Sequence, residues 1–306
     1  MARLRRVARR TSANSQAWNP RARSIDPKIE LATALPHLRL EDRTGPAEKY
    51  ISGLRASLEA TPEGWSGGAD EGQDLEARVR SRRWYHTIEL PGGVVTPGVY
   101  DHRPLLPHYG IPDRLDGKRA LDVGTWDGFW AFELERRGAE VVAADVDRLL
   151  DIALPAAIQR AVEKSGLDQR FGGGFEVAHG ALRSTVDRRV LNIYDLDPGS
   201  VGTFDLVHVG DVLQHLEAPT RALRRVRAVT DGLAIITTSF DPTLGAKQVL
   251  RYRGGWRNAV WWTMSLSATA QMIVDAGFST VEVGASYRIR STTGSDHWEA
   301  VLHAAA

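Results

Sequence analysis

Cysteine is absent from the 306-residue chain, and methionine occurs only three times. Without thiols there can be no disulfide, no thiolate metal site and no thiol nucleophile. Long apolar runs are also missing, since none approaches the roughly 18 residues of a membrane-spanning helix. We therefore expect a cytoplasmic protein with no membrane segment and no metal.

Acidic residues are absent from residues 1–25, which hold seven Arg. The rest of the chain has 32 basic and 38 acidic residues, which argues against a body built mainly to bind phosphate backbones. Residues 1–45 contain three Pro and lack the apolar core of a secretory signal. This segment predicts a basic, flexible tail, with a transit peptide or a polyanion-binding arm as the alternatives.

The remaining chain divides into a predicted cap or lid over residues 46–115 and an α/β domain over 116–306. In the domain, strand and helix patterns alternate, which is typical of a parallel sheet with helices on both faces. The predicted strands are 119–123, 140–145, 190–194, 204–209 and 233–238, and the predicted helices are 128–137, 220–229 and 267–276. Two alternating runs, 280–287 and 297–303, predict a terminal hairpin. The cap predicts helices over 47–58 and 75–83 and a strand-like stretch over 84–90.

The turn Leu121–Gly128, with the sequence LDVGTWDG, joins the first of these strands to a helix. Glycine at such a turn lets the backbone approach a ligand closely, and the helix start offers free N–H groups. Asp145 follows 21 residues after Gly124, at the end of the next strand, where a carboxylate can accept both hydroxyls of a ribose. The turn and the carboxylate together predict an adenosine site.

Trp126 occupies the middle position of this turn, where a dinucleotide fingerprint has glycine. The indole is a poor match for a pyrophosphate, which makes a nicotinamide dehydrogenase a distant alternative. S-adenosylmethionine has no phosphate, and its sulfonium cation is attracted to aromatic faces.

Four stretches resemble class I S-adenosylmethionine-dependent methyltransferases, and most closely the group of tRNA wobble-uridine 5-oxyacetate-forming methyltransferases. They are WYHTIELPGGVVTPG (84–98), ALDVGTWDGFWAFELERRGAEVVAADVD (120–147), FDLVHVGDVLQHLEAP (204–219) and the WW…AGF segment (261–278). The resemblance covers about two thirds of the chain. It implies a Rossmann-like α/β fold with a seven-stranded, mostly parallel sheet, one antiparallel strand and an N-terminal helical cap.

The resemblance also implies a set of cofactor-binding residues. The first turn would form the cofactor loop, Asp145 and Val146 would hold the ribose and adenine, and residues after the third and fourth strands would flank the adenine and the methionine part. The segment Trp84–Gly98 would fold over the cofactor as a lid. The implied cofactor residues are Trp84, Tyr85, His86, Asp122, Gly124, Trp126, Gly128, Asp145, Val146, Tyr194, Asp195, Gly210, Asp211 and Gln214.

Gln214 stands where the tRNA enzymes that use a carboxylated cofactor have a tyrosine, and Leu216 replaces a basic residue of that motif. Glutamine can donate a hydrogen bond but lacks the phenol. The departure favours ordinary S-adenosylmethionine.

His215, after the fourth strand, is a candidate for the base that assists a hydroxyl nucleophile, because histidine titrates near neutral pH. The alternative is a structural histidine at the start of a turn. Asp211 is a second candidate for proton acceptor, and His86 in the lid could contact the site. His208 lies within a strand and is expected in the core.

An insertion at about 242–266 is predicted to form the substrate wall, with Arg253, Trp256 and Trp262 as substrate-binding residues. Arginine with tryptophan suits an anionic or aromatic ligand, while a tryptophan-packed cap with a solvated basic edge is the structural alternative.

Three functions remain open from the sequence. The first is methyl transfer to a small-molecule acceptor, most simply at a hydroxyl, in specialised metabolism. The second is tRNA modification, which the basic tail and an arginine cluster over 251–257 would fit and which would show steep salt dependence. The third is a protein that binds S-adenosylmethionine for chemistry other than methylation. The expected partner is a small molecule, with nucleic acid less favoured and a homodimer possible.

Overall fold

The computed structural model describes residues 44–59, 74–255 and 259–306. The predicted tail lies outside these residues, apart from its last two positions, which begin a helix. No helix in the described ranges combines the length and the apolar character needed to cross a membrane.

A seven-stranded sheet forms the centre of the molecule. Its strands are β1 (Arg119–Val123), β2 (Glu140–Asp145), β3 (Asp187–Val190), β4 (Phe204–Gly210), β5 (Thr230–Phe240), β8 (Thr280–Arg290) and β9 (Asp296–Ala305), and a separate two-stranded sheet pairs β6 (Leu250–Tyr252) with β7 (Trp262–Met264). The order is β3-β2-β1-β4-β5-β9-β8, and β9 alone runs antiparallel to its neighbours in that sheet. This arrangement confirms the predicted fold class.

Helices cover both faces of the sheet because its central strands are apolar on both sides. The helices are α1 (Thr44–Glu59), α2 (Leu75–Arg80), α3 (Phe129–Arg136), α4 (Ala156–Ser165), α5 (Gly173–Leu182), α6 (Pro198–Val201), α7 (Pro219–Ala228) and α8 (Leu266–Asp275). One core cluster joins the sheet to α7 and α8 through Leu223 and Ile273. A second cluster joins it to α3 and α5 through Leu134 and Phe175.

The first helix packs against α4 and the loop before it. Ala47 belongs to a small apolar cluster with Leu149, Ile158 and Ala259, and Tyr50, Ile51 and Leu54 pack around it. The apolar spacing of residues 47–58 thus produces a helix, and its inner face lies on the α/β domain.

Two predicted strands are placed differently by the structure. The third strand is Asp187–Val190 rather than 190–194, because a 3-10 turn over Ile193–Asp195 occupies the later residues. Its sequence DRRV is polar and lies at the edge of the sheet, so apolar content missed it. Residues 84–90 form only isolated bridges, His86 with Tyr100 and Glu89 with Val95, rather than a strand.

Candidate active site

A cavity of about 390 Å³ lies at the carboxyl ends of β1, β2 and β4. Ligands in α/β sheets bind at this edge, and the volume falls in the range typical of small-molecule sites. Residues from α1 and from the segment before β1 line the cavity opposite the strand ends, including Tyr50, Tyr85 and Tyr109. Two chemically different ends can be distinguished, one at Asp145 and one at Asp211.

At the first end, the β1–α3 turn holds the Asp145 carboxylate in place. Trp126 N–H donates to Asp145 Oδ2 at 2.8 Å, and Val146 N–H donates to Oδ1 at 2.8 Å. Trp126 adopts φ +50°, in the left-handed region, which helps aim its N–H at the carboxylate. Burial raises the pKa of Asp145 to about 6 despite these two donors.

Gly124 makes the turn possible. Its φ is +76°, and a Cβ there would lie 2.4 Å from Val212 Cγ2. The backbone of the turn therefore approaches Val212, two residues after β4, more closely than a side chain at this position allows.

Beyond Asp145 the wall is mostly apolar and aromatic. Val146, Leu149, Ile193 and Tyr194 line this part with Phe171, whose ring centroid is 5.1 Å from that of Trp126. The Tyr194 hydroxyl accepts the N–H of Ala218 at 2.9 Å, which fixes the ring. This part of the cavity fits a flat heteroaromatic group.

At the second end, Asp211 follows β4 with φ +51°, a conformation that non-glycine residues adopt rarely. Ser239 N–H donates to its Oδ1 at 3.1 Å, and the Tyr85 hydroxyl donates to Oδ2 at 3.4 Å. Burial and then the nearby Glu299 raise the pKa of Asp211 to about 7. The group is thus poised to take up or release a proton near neutral pH.

Glu299 and His297, both on β9, complete this end. One ligand-type atom from each of Asp211, His297 and Glu299 lies within 4.8 Å of the other two. Glu299 accepts hydrogen bonds from the Tyr287 hydroxyl at 2.7 Å and pairs with His297 Nε2 at 2.8 Å. Of these, Glu299 lines the cavity with Asp211.

Asp127 anchors the segment that precedes β1 over the cavity. Its carboxylate accepts the N–H of Tyr85 at 2.7 Å and that of His86 at 2.8 Å, and it also pairs with His86 Nδ1. The His86 ring stacks on Phe129 at a centroid distance of 5.4 Å. His86 is therefore held by its neighbours although it lines the cavity.

Changing Gly98 to alanine is expected to release this segment. A Cβ at Gly98 would lie 2.2 Å from the backbone of His86, so the two chain segments would have to separate. We expect about 1–3 kcal/mol of destabilisation and weaker binding of S-adenosylhomocysteine, measured by thermal unfolding and calorimetry. Gly180→Ala is the control, since a Cβ there meets nothing within 4 Å; equal melting temperatures for the two variants would contradict the anchoring role.

Most of the cofactor-binding residues predicted from the sequence line the cavity. They are Tyr85, His86, Gly124, Trp126, Asp145, Val146, Tyr194, Gly210 and Asp211, together with His215 of the catalytic candidates.

Five predicted cofactor residues are not on the cavity wall. Asp122 is buried and pairs with His208 at 2.8 Å, which also confirms His208 as a core residue. Gly128 caps α3 at φ +92°, and Asp195 is exposed. Trp84 is buried and donates its indole N–H to Val79 O at 2.9 Å. Gln214 donates to Asp211 O at 2.8 Å, so its place is behind the site.

The predicted substrate wall is also placed differently. Arg253 is exposed, and Trp262 packs edge-on against Tyr252 and donates to Glu217 O at 3.2 Å. Neither side chain lines the cavity, and Trp256 lies outside the described residues. From this insertion, only Ala259 of the described residues lines the cavity.

Sequence reasoning missed Asp127, Tyr109, His102, His297 and Glu299. Glu299 could have been found from its place at the start of the run EAVL in the last predicted strand. Carboxylates are uncommon in buried strands, so an acid there indicates a functional or paired group.

Comparison with known proteins assigns the class. A family model described as a methyltransferase domain matches residues 103–283, more than half of the chain. The chain therefore belongs to the methyltransferase domain family, and S-adenosylmethionine is the cofactor of that family. The wobble-uridine group is not singled out by these similarities.

Individual relatives match shorter parts. A mitochondrial ubiquinone biosynthesis O-methyltransferase of Schizosaccharomyces pombe is 31% identical over 105 residues, which is 34% of this chain and 31% of the relative. A magnesium-protoporphyrin O-methyltransferase of Rhodobacter capsulatus is 50% identical over 44 residues, 14% of this chain and 20% of the relative. The chain thus spans about a third or less of the length of these two curated relatives.

Among solved structures, the N-terminal domain of EvdMO1 with S-adenosylhomocysteine bound has a similar fold. The TM-score is 0.51 at 17% identity, covering 78% of this chain and 99% of that domain.

The residues at the Asp145 end fit the cofactor. A half-buried carboxylate faces the cavity for the ribose, and the glycine backbone at Gly124 lies on the cavity wall beside it. Aromatic rings and Asp211 lie further along, where a sulfonium cation would be stabilised.

Proposed function

We propose that the protein transfers a methyl group from S-adenosylmethionine to a hydroxyl of a small-molecule acceptor. The observation that carries the proposal is the cavity itself. It joins a nucleoside-binding carboxylate, Asp145, to a second polar end where Asp211 can accept a proton. The O-methyltransferase names of the curated relatives support the same reaction type.

The cofactor supplies a methyl group already activated by a sulfonium centre. The protein then has to align the acceptor with that methyl group, and such positioning can contribute several kcal/mol, up to about 7–11 in favourable cases. The aromatic wall holds the adenine, Asp145 holds the ribose, and Tyr85 and Trp130 bound the acceptor end.

Asp211 is our choice for the proton acceptor. Its pKa of about 7 lets it be ionised at neutral pH while it stays basic enough to take a hydroxyl proton. His215 also lines the cavity, and we assign it an acceptor-contact role.

Charge on the cavity wall supports a small-molecule acceptor over RNA. The described residues that line the cavity include four carboxylates and no Lys or Arg; the acids are Asp145, Asp151, Asp211 and Glu299. A phosphate or carboxylate on the acceptor would lie beside Asp211 and Glu299, with no Lys or Arg of the described cavity wall to pair with it. We therefore propose a neutral or cationic acceptor of the kind found in specialised metabolism.

Calorimetry followed by an acceptor screen tests the proposal. We expect micromolar binding of S-adenosylmethionine and S-adenosylhomocysteine, with no binding of NAD. Turnover is then measured with neutral phenols and catechols, with the same rings bearing an amine or a carboxylate, and with unmodified tRNA. Turnover confined to tRNA, with affinity falling steeply as salt rises, would overturn the small-molecule assignment.

A further inference from the structure

The C-terminal hairpin brings two titratable residues to the acceptor end that no sequence motif indicated. In the register of the sheet, Glu299 on β9 lies opposite Ser239 on β5 and opposite Tyr287 on β8. Ser239 N–H donates to Asp211. The Asp211 carboxylate is thus held by β5, and the Glu299 carboxylate belongs to the adjacent strand β9. Glu299 is 2% exposed, whereas the side chain of its partner His297 keeps 27% of its surface exposed.

Methylation of a hydroxyl at this end produces a proton that has to leave. The acceptor O–H bond breaks as the new O–CH₃ bond forms and the C–S bond of the cofactor breaks. The electron pair of the C–S bond stays on sulfur, and the proton passes to Asp211. With acceptor and cofactor in the cavity, Asp211 is covered on that side and needs another route to water.

We infer that Glu299 and His297 form this route, carrying the proton from Asp211 to solvent. The inference rests on the proposed function. Glu299 lies between the two groups in the sequence of transfer, because one of its carboxylate oxygens is within 4.8 Å of one of Asp211 and it is hydrogen-bonded to His297 at 2.8 Å. His297 is the exit because its side chain keeps 27% of its surface exposed, is not part of the described cavity wall, and lies within 4.8 Å of both carboxylates.

Four tyrosines and a third carboxylate, Asp296, surround the three residues of the proposed route. Tyr85 faces Asp211, Tyr100 lies edge-on to His297 at 5.7 Å, and Tyr109 and Tyr287 share a 2.5 Å hydrogen bond beside Glu299. Asp296 also faces His297 and, with Glu299 and Asp211, favours its protonated form.

The pKa values at both ends of the route are raised. The hydrogen bond that His297 makes to Glu299 raises the pKa of His297 above its usual value of 6.5, and burial together with Glu299 raises the pKa of Asp211 to about 7. Both end groups therefore hold a proton more readily than the free side chains do.

His297→Gln tests the route, because glutamine can keep the hydrogen bond to Glu299 but cannot carry the proton. In dilute buffer and under single-turnover conditions, we expect the methyl-transfer rate to fall about tenfold or more. Added imidazole should restore much of the loss, and S-adenosylhomocysteine affinity should stay unchanged. His108→Gln, at an exposed histidine, is the matched control and should show neither the loss nor the rescue.

A second measurement does not depend on turnover. Proton NMR of the His297 ring should show a pKa above 6.5 in the unmodified protein and a lower value in Glu299→Gln. An unchanged His297 titration in that variant, or a full rate in His297→Gln, would overturn the route. Loss of turnover in EDTA with recovery on adding magnesium or zinc ions would also overturn it, since the three residues would then hold a metal.

The proposed function and the route fail in distinguishable ways. Full turnover in Asp211→Asn would show that Asp211 is not the base, and the proposed catalytic role would fail. Loss of turnover in Asp211→Asn combined with a full rate in His297→Gln would refute only the route.

Discussion

Asp211→Asn is expected to lower methyl transfer by about 10²–10⁴-fold, the usual contribution of a positioned general base. The asparagine keeps an oxygen for the Ser239 N–H, which bonds Asp211 Oδ1 at 3.1 Å, so the local backbone should hold. What is lost is the capacity to accept a proton from the acceptor. Steady-state rates and S-adenosylhomocysteine affinity, measured together, should show a fall in kcat with little change in cofactor binding.

The pH dependence of the unmodified enzyme provides an independent check. The base works in its ionised form, so the rate should rise as the pH passes through the Asp211 pKa of about 7 and then level off. In Asp211→Asn this rise should disappear. A rate that keeps the same pH dependence in the variant would assign the proton transfer to another group.

Stability should respond in the opposite direction to activity. Burial raises the pKa of Asp211 in the folded protein, so folding favours the protonated carboxyl. That contribution is present at low pH and is lost as the pH rises from about 4 to about 7. Above pH 7 the asparagine variant should therefore melt no lower than the unmodified protein.

His215→Gln is the comparison that separates the two catalytic candidates. His215 lines the cavity, so we expect a weaker apparent affinity for the acceptor, with a smaller change in kcat than in Asp211→Asn. If instead His215→Gln loses the larger factor in kcat, the histidine is the base and Asp211 serves the cofactor.

Asp145→Ala is expected to weaken S-adenosylhomocysteine binding by about 10²–10⁴-fold. A carboxylate that accepts two ribose hydroxyls makes two charge-assisted hydrogen bonds, each contributing about 1.5–3 kcal/mol. The same change removes the acceptor of the Trp126 and Val146 N–H groups. Calorimetry should be paired with thermal unfolding, so that loss of affinity is separated from loss of fold.

Asp147→Ala, two residues further on, is the matched control. Asp147 pairs with Arg170 and Arg188 and is absent from the cavity wall. We expect it to keep full affinity for the cofactor product. Equal affinities for Asp145→Ala and the unmodified protein would refute the ribose assignment.

Acid should weaken cofactor binding through the same residue. Burial raises the Asp145 pKa to about 6, and hydrogen bonds from ribose favour the ionised form. Affinity should thus be higher at pH 7 than at pH 5, and Asp145→Asn should show a smaller difference between the two.

The Asp145 end of the cavity could be predicted from the sequence because its signals are local. The turn around Gly124 and Trp126 lies between two apolar strands, and Asp145 closes the second strand at a fixed spacing. The parallel order of β1, β2 and β4 then brings their carboxyl ends together. The turn and Asp145 both lie within about one β–α–β unit of the chain, so their relation is visible in the sequence.

The Asp211 end could be predicted only in part. Asp211 follows a predicted strand, but Glu299 is far from it in sequence, and their proximity depends on β9 entering the sheet beside β5 in one register. A shift of one residue would turn Glu299 to the other face. Arg253 and Trp262 were predicted to bind the substrate because arginine and tryptophan suit an anionic or aromatic ligand. Residue type does not show which way the side chains of a short hairpin face.

The position of β9 between β5 and β8 also has a consequence for synthesis on the ribosome. Once β1, β2, β4 and β5 have emerged, the chain holds the strand ends that line the cavity, but the edge of β5 still lacks its partner strand. An unpaired edge of this kind invites association with other chains. Occupancy by the cofactor at that stage would stabilise the nascent sheet, and Glu299 would come to lie near Asp211 only when the final hairpin closes the edge.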